Sequence, residues 1–165
     1  MPTKKTKEPK GHGHTATLAA LRGLLLIIYL LGALGTGVEL LLLEHTESRW
    51  QWVPLLLILL SLVALGGHAL IRRTATLRVF QLTMIMFVIS GFAGLVLHYQ
   101  GKVEFKLEVN PALAGWELFW AAIKGAAVPP VLAPGVMIQL GLLGLAWTFR
   151  HPASTQETGT TNMGE

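Results

Sequence analysis

The chain has 165 residues, of which 52% are strongly apolar and 13% charged, with a formal net charge of +4 and a sequence pI near 9.7. Soluble domains carry about 25% charged residues, and here the apolar residues run together in long unbroken stretches (mean hydropathy +0.55), which excludes a soluble globular enzyme. Neither cysteine nor aspartate occurs, so disulfides, thiolate chemistry, thiolate-bound clusters, aspartyl phosphate and Asp-rich calcium loops are excluded too.

There is no Gly-rich phosphate loop and no G-x-S-x-G. A basic balance resting on so few charges fits a positive-inside membrane protein, not a nucleic-acid partner. Residues 1–16 (MPTKKTKEPKGHGHTA) are polar and basic and predict a disordered tail. Its four lysines suit anionic lipid, and the His12/His14 pair alone is a weak metal pattern.

Residues 18–43 then form a first span, in which Arg22 and Glu39 are the only charged residues. A run of about 20 apolar residues crosses a hydrocarbon core of about 30 Å, and this one outlasts the apolar part of a signal peptide, about 7–15 residues. A polar link, 44–52, brings Trp50 and Trp52 to the level where indoles anchor at a membrane surface. The second span covers 53–71, a basic turn follows at 72–78, and the third span covers 79–98. After an extended region, 99–130, the fourth span covers 131–149, and 151–165 read as a second disordered tail. Residues 17–150 therefore predict one transmembrane domain.

The region 99–130 has two parts. VEFKLEV (103–109) alternates apolar and polar with the period of a half-buried strand. Asn110-Pro111 then offers a cap and a first-turn proline for a helix over 111–124, whose Leu113, Trp116, Trp120 and Ile123 share one face. Such a helix lies flat in the membrane interface, with Trp116 and Trp120 as anchors. The fold class is thus an all-α integral membrane protein, a four-helix transmembrane bundle with an outer cap made of a β-like segment and an amphipathic helix. Nine Lys/Arg fall on the side of the N-terminus and four on the other, which places both termini in the cytoplasm of a multi-pass cell-membrane protein.

Small residues (Gly32, Gly35, Gly37, Gly91, Gly94, Gly141, Gly144) mark faces where helix backbones can meet closely. On helical spacing, Glu39 falls with Tyr29, Gly32 and Thr36, and His98 with Phe87, Gly91 and Gly94. A carboxylate inside a span needs a partner, and His98, at the same depth, is expected within hydrogen-bond reach of Glu39. With His45, Glu104 and Glu108 the pair offers nitrogen and carboxylate ligands for a divalent metal. No Glu-x-x-His occurs on a span, which argues against a di-iron bundle. His68 lies at the opposite end, where the spans supply no second histidine, which argues against a buried b-type haem. It is expected to bond to a neighbour or water. Gln139 falls in the middle of span four, away from the Gly141/Gly144 face.

Three function classes follow. The first is a non-catalytic accessory or scaffold subunit of a membrane complex, its partners being lipid and other subunits or copies of itself. The second binds a divalent metal or small ligand at the outer Glu/His cluster, with or without chemistry. The third is an oligomeric transporter, disfavoured in a monomer because the mid-membrane region lacks ionisable groups.

Overall fold

The computed structural model describes residues 12–44, 48–124, 132–149 and 151. Among the described residues five α-helices follow one another: α1 (His12–Leu42), α2 (Trp52–Ile71), α3 (Thr74–Val109), α4 (Gly115–Lys124) and α5 (Leu132–Thr148). A single 3-10 turn, Arg49–Gln51, leads into α2. Helices α1, α2 and α3 are long and apolar enough to cross a bilayer, and α5 is a shorter apolar helix of 17 residues. Their outward faces carry Leu, Ile, Val and Phe, with Leu31 69% and Leu70 88% exposed. Water does not tolerate an apolar surface that continuous, whereas lipid does. The chain has the make-up of a helical membrane protein.

In lipid, helices associate through close packing rather than through burial of apolar area. The tightest contact here is α3 against α5. A Cβ on Gly141 would lie 2.7 Å from the Met84 carbonyl oxygen, and one on Gly91 would lie 2.8 Å from that of Pro134. Gly144 faces the side chains of Met84 and Phe80. Around this seam sit the buried side chains Leu77, Phe80, Met84, Phe87, Met137 and Leu140, with Tyr29 and Ala33 from α1 and Ile58 and Ala64 from α2. One polar chain crosses the core: the Tyr29 hydroxyl donates to Ser61 Oγ (2.6 Å), which donates to the Ile58 carbonyl (2.7 Å). Every hydroxyl proton in that chain has an acceptor, as burial demands.

The expected strand at 103–109 is corrected: these residues are the last two turns of α3. Lys102, Val103, Lys106 and Leu107 are half-buried and Glu104, Phe105, Glu108 and Val109 exposed, a helical rhythm and not a two-residue one. Among the described residues there is no strand for such a segment to pair with, and an established helix extends at little cost. The helix stops where Pro111 forces Asn110 into an extended conformation (φ −143°, ψ 94°).

Asn110-Pro111 does not cap α4. Asn110 Oδ1 accepts the Ala112 N–H (3.1 Å) within a turn, and α4 begins only at Gly115, whose φ of +54° suits glycine. Likewise α1 begins at His12, so residues 12–16 are helical where a tail was expected; residues 1–11 and 152–165 lie outside the described set.

At about 1.5 Å per residue, the 36 residues of α3 extend about 54 Å, well past a hydrocarbon core of about 30 Å. Helix α2, with 20 residues, accompanies the first part of α3 from the sharp corner at Arg72 (φ +50°). The last turns of α3 therefore project beyond the far end of α2. Helix α4 packs back on this projection, with the rings of Tyr99 and Phe119 6.0 Å apart.

Candidate functional site

The bundle has two ends, one marked by Arg22 and one by His98. At the Arg22 end, the Arg22 guanidinium donates to the Phe149 carbonyl (3.3 Å), tying the first half of α1 to the end of α5. His68 is buried, and its Nδ1 lies 3.0 Å from Thr76 Oγ1. Because the Thr76 hydroxyl donates to the Arg73 carbonyl (2.7 Å), its oxygen is the acceptor for His68 Nδ1–H. The sequence reading missed that His151 joins this end: its ring is 5.3 Å from His68 and 5.1 Å from Trp147. His68 thus does have a second imidazole beside it.

Burial holds the His151 imidazole below its usual range, and the nearby His68 and Arg22 act in the same direction. The folded state therefore binds fewer protons than the unfolded one, so stability is full above the unfolded value, about 6.5, and declines as pH falls toward the lowered one. Acidification from about pH 8 to about pH 5 is expected to lower the melting temperature of the wild type in lipid, and to lower that of His151→Phe less. An equal acid loss in both proteins would contradict this assignment.

At the other end, a cavity of about 560 Å³ opens between α1, α2, α3 and α5. Its polar residues are Ser48, Gln51 and His98 at the mouth, with Thr36 and Ser90 deeper, and its apolar lining includes Leu40, Leu57, Met86 and Met137. Ser48 N–H donates to Gln51 Oε1 (2.7 Å), which fixes the amide and leaves its NH2 group as the donor. The signal for this lay in Ser48-x-x-Gln51, a helix-start pattern that the sequence reading passed over.

Among the described residues, the predicted metal ligands Glu39, His98, Glu104 and Glu108 do not form a cluster. Glu39 is exposed, about 100° around α1 from the buried Leu40, and does not line the cavity that His98 lines. Glu104 and Glu108 are exposed on the projecting part of α3, six and ten residues past His98, about 9 and 15 Å further along the axis. His45 lies outside the described residues. Among the described residues, no three histidine or acidic side chains form a group that could hold a metal ion.

The chain matches no family model, no curated protein and no solved structure. Its surface must therefore be read on its own terms. Trp50 is 71% exposed on the 3-10 turn and Trp52 46% exposed at the start of α2. Trp116 is exposed on α4, stacked on Phe119 at 5.0 Å, and Lys124 Nζ sits 4.6 Å over the Trp120 ring. One polar residue stands apart on an apolar face. Gln139 is exposed in the middle of α5, on a shallow groove lined by Gly135, Ile138, Leu142, Leu143 and Ala146. Among the described residues its amide has no hydrogen-bond partner.

Proposed function

We propose that this protein is a non-catalytic accessory subunit of a membrane assembly, crossing the cell membrane with α1, α2, α3 and α5. The observation that carries the reading is Gln139. An amide in the middle of an apolar helix has no water to bond to, and leaving it unpaired in hydrocarbon is unfavourable by several kcal/mol. Another transmembrane helix bearing an amide or hydroxyl removes that penalty, and such interhelical bonds contribute about 0.6–2 kcal/mol. The neighbouring Gly135 and Ala146 are small enough for a second backbone to approach. Beyond the membrane, the exposed Phe105 and Val109 on the projection of α3 offer the same assembly a second contact.

A photoreactive residue in place of Leu142, beside Gln139 on the groove, is expected to give one discrete adduct in membranes. Gln139→Leu should abolish that adduct, and the same probe in place of Leu59, on the lipid face of α2, should give none. Labelling that is diffuse, or unaffected by Gln139→Leu, would remove the basis for the reading.

The Lys/Arg distribution supports a cytoplasmic Arg22 end, with the projection of α3 and helix α4 outside. Native cysteine is absent, so single cysteines can report this arrangement. Thr74→Cys should resist an impermeant thiol reagent in intact cells, and Lys102→Cys should react. Reaction at Thr74 but not at Lys102 would invert the topology.

A further inference from the structure

We propose that the cavity at the His98 end binds a single-chain amphiphile whose head is an oxygen acceptor and whose tail is aliphatic. The shape of the cavity argues for a chain-like ligand. Along α3 it runs from Met86 to His98, twelve residues or about 18 Å. One leaflet of a hydrocarbon core of about 30 Å has nearly that depth. Its volume, about 560 Å³, lies within the range of small-molecule sites, about 300–1,000 Å³.

Polarity changes along that length in the way an amphiphile requires. Met86, Ile89 and Met137 make the deepest part apolar, Thr36 and Ser90 lie midway with the Ser90 hydroxyl donating to the Phe87 carbonyl (3.0 Å), and the methionines can adapt to a flexible chain. Ala93, Gly94 and Ala133 leave the space that larger side chains would fill. At the opposite end stand the Gln51 NH2 and the Ser48 hydroxyl, which can donate hydrogen bonds, beside the His98 ring. No carboxylate is among the described residues of the wall. Donors at that end suit a carbonyl or carboxylate oxygen. Fatty acids and isoprenoid quinones both present that oxygen on an aliphatic tail. This site is separate from the Gln139 groove, so either proposal can fail without the other.

The test uses the full chain in lipid nanodiscs and a palmitic acid carrying a diazirine near its tail end. Peptide mapping after irradiation is expected to place adducts at Met137 and Leu57. Ala93→Phe, which fills the cavity from α3, should remove them while leaving the melting temperature near that of the wild type. Gln51→Leu should weaken probe binding about tenfold, the size of one lost hydrogen bond. Competition by unlabelled palmitic acid identifies a fatty-acid head, and competition by decylubiquinone a quinone head. Adducts spread over lipid-facing positions such as Leu59 and Leu82, adducts that persist in Ala93→Phe, or competition by neither compound would overturn the proposal.

Discussion

Gly141→Val is expected to destabilise the bundle by about 3 kcal/mol, measured by reversible denaturation in mixed micelles. A Cβ at this position would fall 2.7 Å from the Met84 carbonyl oxygen and 3.1 Å from Phe87 Cβ. Neither atom belongs to a flexible side-chain end, so α3 and α5 must separate. Separation is costly because packing is the main attraction between helices in lipid. Gly91→Val acts on the same seam from the other helix, against the Pro134 carbonyl oxygen and the Ile138 nitrogen. Gly35 and Gly66 provide the contrast, since nothing lies within 4 Å of a Cβ at either. There an alanine should stabilise by about 0.5–1 kcal/mol through reduced backbone entropy. If Gly141→Val proved as mild as Gly35→Ala, the α3–α5 seam would be wrongly placed.

Trp147→Ala is expected to cost about 3–5 kcal/mol, as for other buried aromatic truncations. The indole is buried and stands edge-on to Phe80 (5.5 Å) and to His68 (6.2 Å), with His151 5.1 Å away. Phe80 in turn meets Tyr29 edge-on at 5.5 Å. Trp147 therefore joins the end of α5 directly to α2 and α3, and through Phe80 to α1. Trp147→Phe keeps an aromatic edge in the same place and should recover much of the loss. A loss within about 0.5 kcal/mol of wild type, typical of surface positions, would show that the indole does not occupy this site.

The long helices were legible because apolar length is a one-dimensional property. The small-residue faces of α3 and α5 were legible too, since helical phase alone puts Gly141 and Gly144 on one side and Gln139 on the other. The misread segment 103–109 shows where that logic fails. Its alternation of Val, Phe and Leu with Glu and Lys is a valid strand pattern, but the choice depends on whether a helix already runs into it and whether a strand partner exists. Glu39 failed for a different reason. Its assigned face was about 50° from the one α1 actually buries, and that difference depends on where α5 and α2 pack. The cavity was not readable at all, because Thr36, Gln51, His98 and Met137 come from three helices and the 3-10 turn and meet only in three dimensions.

The native mass of the assembly, extracted with surrounding lipid and without detergent exchange, tests the central claim most directly. The chain alone has a mass of 17.9 kDa. The account predicts a wild-type protein mass above that value and a Gln139→Leu variant that folds, melts near the wild-type temperature and falls to the single-chain mass. A wild type found only at the single-chain mass, or a Gln139→Leu variant that keeps the full assembly, would contradict it.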